Sequence, residues 1–124
     1  MGTVALMGVA GALGTMARYG LDGLISRRFP GAFPIGTFVV NVTGSLLVGF
    51  VFTVLTERFL VSPAVRSALT IGFLGAYTTF STLSLETIRL IEDGAHLLAG
   101  ANALASLTGG LLAVYVGIVL GRAV

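Results

Sequence analysis

The chain has 124 residues, enough for one domain, and 56% of them are hydrophobic while only 10% are charged. This composition excludes an ordinary soluble domain and is typical of a membrane protein. The absence of cysteine excludes disulfides and thiolate metal sites. The basic residues are all arginines scattered near the ends of apolar segments, so we expect the lipid bilayer as a partner and no nucleic acid.

Four apolar segments approach or exceed the roughly 20 residues that an α-helix needs to cross a bilayer. They cover residues 2–25, 34–56, 67–85 and 95–120. Short links such as "SRRFPGAFP" join them and leave no room for a soluble catalytic or binding domain. The first segment lacks a basic n-region and is too long for a signal peptide, so we expect a retained helix. The prediction is one all-α transmembrane domain over residues 1–124 with four helices.

The first and second helices carry small residues and one polar face. "GVAGALG" and "GSLLVG" are small-residue motifs that favour close helix packing, within one chain or between chains. On the second helix Thr37, Asn41 and Ser45 are spaced by four and share a face. Asn41 lies about 10 Å inside Pro34 and must be hydrogen-bonded to another helix or line a wet cavity.

The third helix contains "GAYTTFSTLS", where five of the seven residues 78–84 carry hydroxyls. Gly, Ser and Thr all weaken a continuous helix, so we expect a break near residues 75–79. A break at membrane depth is tolerated only in protein or beside a polar cavity. Its freed carbonyls could bind a small cation such as Na+, and the new helix N-terminus could present amide donors to an anion.

The fourth helix repeats the polar spacing with Asn102 and Ser106. No acidic residue lies near the centre of any segment, and the nearest are Asp22 and Glu86 at helix ends. The mid-membrane groups are therefore amides, hydroxyls and aromatic ring edges, an inventory that suits a small, strongly hydrogen-bonding anion. The single histidine, His96, lies at a helix start, and we expect no enzymatic activity.

The arginines are almost balanced across a four-helix topology. One side has Arg58, Arg66 and Arg122, and the other has Arg27, Arg28 and Arg89, with Arg18 added if its side chain reaches that interface. Because arginine asymmetry fixes membrane orientation, a balanced chain should insert both ways round. Dual topology would make an antiparallel homodimer the simplest assembly. One-way insertion remains open from the charges alone.

The sequence resembles the Fluc fluoride channels, the camphor-resistance protein family, over almost its whole length. The resemblance rests on "GALGTMARY", "PIGTFVVNVTGSLLVG", "GFLGAYTTFSTLSLET" and "ALASLTGG". It implies a passive fluoride channel that lowers fluoride toxicity, built as an antiparallel dual-topology homodimer with two pores. It also implies a broken third helix, a buried structural Na+ between the subunits, and a location in the cell (inner) membrane of a prokaryote.

The resemblance assigns roles by motif position. The fluoride pathway would use Asn41, Phe80, Leu83, Ser81, Thr82, Asn102 and Ser106. The vestibule or pore end would hold Arg18 and Glu86, and the backbone carbonyls of Gly75 and Thr78 from both subunits would bind Na+. Leu83 stands where the family commonly has a second phenylalanine, so we expect Phe80 to matter more. The alternatives are a small dual-topology proton-coupled drug exporter and a non-transporting membrane subunit.

Overall fold

The computed structural model describes residues 2–124, and throughout that range the regular structure is helical. Four spans are long and apolar enough to cross a membrane, which confirms the prediction of an all-α membrane protein. They are Gly2–Arg28, Ile35–Arg58, Pro63–Glu92 and His96–Ala123. The first is α1 (Gly2–Arg28), and the second is α2 (Ile35–Thr53) continued by a π-helical turn over Val54–Arg58.

The third span consists of several helical pieces. α3 (Pro63–Ser67) leads into a π-helical segment, Ala68–Leu74, followed by the single turn α4 (Gly75–Tyr77). After two extended residues, α5 (Phe80–Glu92) completes the span. The expected break is therefore present. The last span is the single helix α6 (His96–Ala123).

The third span is longer than the predicted 67–85 at both ends because local capping extends it. Ser62 accepts a hydrogen bond from the N–H of Val65 at 3.3 Å, and Pro63 occupies the first helical turn that proline tolerates. At the other end Gly94, with φ of 80°, ends the helix in the left-handed conformation. Most of "ETIRLIEDG" is consequently helix rather than a link.

The helices pack closely through glycines. α2 and α6 make the most extensive contact, in which a Cβ at Gly117 would overlap the Leu46 carbonyl oxygen and one at Gly49 would overlap that of Val114. α1 packs on the N-terminal half of the third span, where a Cβ at Gly14 would overlap the backbone of Phe73. Gly14 and Gly49, which belong to the two small-residue motifs, thus make contacts within one chain, a point that the sequence left open.

The third span packs on different helices before and after the break. Before it, the π-helical segment and α4 pack on α1, and after it α5 packs on α6. Within the π-helical segment, the N–H of Gly75 donates to the carbonyl of Thr70, five residues earlier. α2 lies beside both halves and is the helix that contacts the break itself.

Candidate functional site

The backbone at the break is extended over Thr78, with φ −86° and ψ 155°, and Thr79, with φ −148° and ψ 112°. In an uninterrupted helix the carbonyls of residues 75 to 78 would accept from the N–H groups of residues 79 to 82. Two of those N–H groups have other partners here. That of Thr79 donates to Asn41 Oδ1 at 2.8 Å, and that of Thr82 donates to Thr79 Oγ1 at 3.2 Å.

Asn41 replaces the hydrogen bond that the Thr79 N–H loses at the break, and it adds a second bond to the Thr79 carbonyl. Its Oδ1 accepts from the Thr79 N–H, and its Nδ2 donates to the Thr79 carbonyl at 3.1 Å. An amide nitrogen carries two hydrogens, so one N–H remains for another acceptor. The sequence placed Asn41 in a polar pathway, and the structure adds that it also holds the broken backbone.

Thr79 caps the second half of the third span. Its Oγ1 accepts from the Thr82 N–H, as an N-cap residue does, and donates to Thr82 Oγ1 at 2.9 Å. Sequence reasoning did not single out Thr79, although a threonine three residues before Thr82 at the start of a helix is a recognisable capping pattern.

The carbonyls of Gly75 and Thr78 have lost their helix partners, and within residues 2–124 no other hydrogen bond reaches them. Both residues line a large groove on the surface of the chain. Free carbonyl oxygens on unwound backbone are the type of ligand that binds Na+ in transport proteins. The backbone therefore fits the cation site that the resemblance implies, with two oxygens from one chain.

The groove has a volume of about 690 Å³ and runs between α2, the third span and α6. Its wall is mostly apolar, and the predicted site residues on it are Asn41, Gly75, Thr78, Phe80, Leu83 and Ser106. Phe80 is 81% exposed, so its ring stands free in the groove. No Asp or Glu of the described chain lines this groove.

Three residues of the predicted pathway lie away from the groove wall, and two of them, Ser81 and Thr82, are in the first turn of α5. Thr82 borders a small cavity of about 10 Å³ on the α1 side of the break, together with Arg18, Asp22 and Thr37. Ser81 is exposed, but it is absent from the groove lining, and its Oγ lies 3.5 Å from Thr79 Oγ1. The single chain thus separates Ser81 and Thr82 from Phe80.

Asn102 and Ser106 lie in the contact between α5 and α6. Asn102 is fully buried, and its Nδ2 donates to Thr87 Oγ1 at 3.0 Å. Among the described residues neither Asn102 Oδ1 nor Ser106 Oγ has a hydrogen-bond partner. Only Ser106 of this pair reaches the groove.

Of the two residues expected at the vestibule or pore end, Arg18 lies close to the break and Glu86 lies midway along α5. Arg18 Nε donates to the carbonyl of Ala76 at 3.2 Å. Glu86 Oε1 is buried, and no partner for it occurs within residues 2–124.

A second link between α2 and the third span involves Tyr77, which is buried. Its hydroxyl lies 3.0 Å from Thr43 Oγ1, which also donates to the Val39 carbonyl at 2.7 Å. The sequence signal was weak, since Tyr77 differed from its neighbours only as the one ionisable side chain of an uncharged run. α2 therefore contacts the break region through Asn41, Thr43 and Gly44, whose added Cβ would overlap Thr78.

Comparison with known proteins connects this geometry to a family. A family model described as CrcB-like protein, Camphor Resistance (CrcB), matches residues 5–118. A protein of Nitratidesulfovibrio vulgaris named "Fluoride-specific ion channel FluC" is 47% identical over 100% of both chains. Proteins of the same name from Geotalea uraniireducens and Magnetococcus marinus are 47% and 42% identical, over 99% and 96% of this chain and 99% and 97% of their own. The chain therefore belongs to the CrcB-like, camphor-resistance family.

Proposed function

We propose that this protein is a fluoride-selective channel through which cytoplasmic fluoride leaves the cell by passive permeation. The observation that carries the proposal is the helix break beside a groove, with the Asn41 amide and the Phe80 ring at its edge. The names of relatives 42–47% identical over nearly the whole chain support the same ion. The activity is transport rather than catalysis, and it would protect a cell from fluoride that enters as HF.

Fluoride must exchange part of its hydration shell for donors along the path. The second N–H of Asn41, the hydroxyl of Ser106 and the ring edge of Phe80 can each contribute, because the edge carries the positive part of the ring quadrupole. Leu83 fills space on the same wall but has no quadrupole. Since no arginine lines the groove, the ion meets donors that can also release it, which conduction requires.

The working unit is an antiparallel homodimer of this multi-pass membrane protein. The groove is open along one side in a single chain, and a second copy would cover it. The arginine balance favours insertion in both orientations, with three arginines at one set of span ends and three or four at the other. An antiparallel pair gives a closed two-fold assembly. Because the relatives are bacterial, we place it in the inner membrane of a prokaryotic cell.

A structural Na+ belongs between the two breaks. The free carbonyls of Gly75 and Thr78 support this assignment, since each copy would supply both oxygens. The bound ion would supply a fixed positive charge that links the two broken spans and favours an anion nearby.

Flux from liposomes tests the function. The purified protein is reconstituted into vesicles loaded with potassium fluoride or potassium chloride, and efflux is started with valinomycin and followed with ion-selective electrodes. We expect rapid release of fluoride and chloride release no faster than from protein-free vesicles. A folded dimer that passes no fluoride, or that passes both ions alike, would refute the proposal.

A further inference from the structure

The break frees the carbonyl of Ala76 from its helix hydrogen bond. This carbonyl instead accepts a hydrogen bond from a side chain of α1. In a continuous helix it would accept from the N–H of Phe80, but Phe80 begins α5. The Arg18 Nε donates to it at 3.2 Å. A hydrogen bond from a charged donor is stronger than one between neutral groups, so Arg18 more than replaces the lost helix bond.

Arg18 lies on the side of the break away from the groove. It lines the small cavity of about 10 Å³ with Asp22, Thr37, Thr79 and Thr82, and it is absent from the groove wall. α1, which carries it, packs on the π-helical segment and on α4. The guanidinium is therefore placed to hold the backbone of the break rather than to meet an ion in the groove.

We propose that Arg18 is a positioning residue that fixes the backbone of the break from α1, as Asn41 fixes it from α2. Arg18 holds Ala76 from α1, and Asn41 holds Thr79 from α2. Among the other freed carbonyls, those of Gly75 and Thr78 remain unpaired at the groove wall, and that of Tyr77 has no partner within residues 2–124 but lies on a residue that does not line the groove. Without Arg18 the Ala76 carbonyl is free as well, and the extended segment loses one of its two side-chain anchors.

The consequence for transport rests on the proposed function, but the consequence for the backbone does not. A break held at both ends keeps Asn41 and Phe80 in fixed relation, because both adjoin Thr79. Loss of the anchor should raise local opening of the break and lower the flux of the ion without unfolding the chain.

Two substitutions separate the donor from the charge. Arg18→Gln keeps a nitrogen donor at the same number of bonds from the backbone as Nε, and it removes the charge. Arg18→Met keeps a similar length and removes both. Arg28→Met, at the exposed end of the same helix, is the matched control for loss of an arginine.

The experiment is hydrogen–deuterium exchange of the reconstituted protein, with fluoride efflux and melting temperature measured on the same samples. In Arg18→Met we expect exchange in peptides covering residues 75–85 to rise about 10-fold or more, since a hydrogen bond to a charged group is lost. Efflux should fall by a similar factor. Arg18→Gln should stay within about 3-fold of the unaltered chain in both, and Arg28→Met should match it.

The outcomes separate the two proposals. Unchanged exchange in Arg18→Met, or a rise spread over all four spans with a lowered melting temperature, would overturn the positioning role. If Arg18→Met does not fold, Arg18→Gln decides: exchange raised 10-fold there would overturn the role of the donor to Ala76, and exchange within about 3-fold would support it. If the unaltered chain passes no fluoride, the proposed function fails while the exchange result still stands.

Discussion

The two sides of α2 contact their neighbours in different ways. Towards α6, small residues such as Gly49 and Gly117 let two continuous helices approach until their backbones touch. Towards the third span, Asn41 supplies both a donor and an acceptor to backbone that has left the helix. In lipid, the glycine contacts with α6 stabilise the protein by close van der Waals packing. The hydrogen bonds of Asn41 avoid unpaired backbone groups at the break, each of which would cost several kcal/mol in hydrocarbon. Close packing therefore supports the fold, and the polar face makes the break possible.

The α6 side should be the more sensitive to added volume. In Gly117→Leu the new Cβ would overlap the Leu46 carbonyl oxygen and meet the Phe50 nitrogen at 2.8 Å, and backbone atoms cannot move aside. Overpacking of this kind costs about 1–3 kcal/mol or more. We expect most of the protein to be lost as aggregate in size-exclusion chromatography. Gly100→Leu on the same helix, where nothing lies within 4 Å, is the control and should remain monodisperse.

The other side of α2 should control transport more than assembly. Asn41→Leu leaves the N–H of Thr79 unpaired, at about 1–3 kcal/mol, and removes the side-chain bond to the Thr79 carbonyl, which as the N-cap carbonyl of α5 keeps its bond within the helix. Because 1.4 kcal/mol is tenfold, we expect fluoride efflux to fall about 10- to 100-fold in the fraction that folds. Thr56→Val, which removes only a bond to its own helix, is the control. Wild-type flux in Asn41→Leu would contradict the role of the break in permeation.

The groove wall beside the break allows a finer test, with effects of opposite sign. Phe80→Leu removes a ring edge that is free in the groove. With the roughly 0.5–1.5 kcal/mol of an edge contact between two rings as a guide, we expect fluoride flux to fall about 2- to 10-fold. Leu83→Phe restores the second ring and should raise efflux about 2-fold at most by the same reasoning. A loss in Leu83→Phe as large as that in Phe80→Leu would contradict a role for the ring edges in binding the ion.

The smallest effect is expected where a polar contact joins two continuous helices. Thr87→Val removes the acceptor of the Asn102 amide at the α5–α6 contact and leaves every backbone bond in place. Interhelical hydrogen bonds in membranes are worth about 0.6–1.7 kcal/mol. We expect a small fall in melting temperature with fluoride efflux within about 2-fold of the unaltered protein. A loss as large as that of Asn41→Leu would place Thr87 in the pathway.

The sequence was sufficient for the spans and for the break. Apolar length determines where a chain can cross a bilayer, and the clustered glycines and hydroxyls of residues 75–84 predict weak local helix. The span ends were less predictable because a cap at Ser62 and a left-handed Gly94 outweighed the charged residues near them. Arg66 and Arg89 accordingly lie inside helices, in α3 and α5, rather than in links.

The partners of the polar residues required the structure. Asn41 and Thr79 are 38 positions apart, so no local spacing could have paired them. The same holds for Arg18 and Ala76, which are 58 apart. Thr82 was grouped with Phe80 because both lie in one short motif, but the capped start of α5 turns Thr82 towards α1 and Phe80 towards the groove.

The reversal potential of the purified protein in a planar bilayer, with potassium fluoride on one side and potassium chloride on the other, tests the central claim most directly. A path lined by hydrogen-bond donors, with no charged side chain on its wall, should pass fluoride alone. We therefore predict a reversal potential that follows the fluoride gradient and does not move when chloride is varied. A potential that follows chloride or potassium, from a folded dimer, would contradict the account.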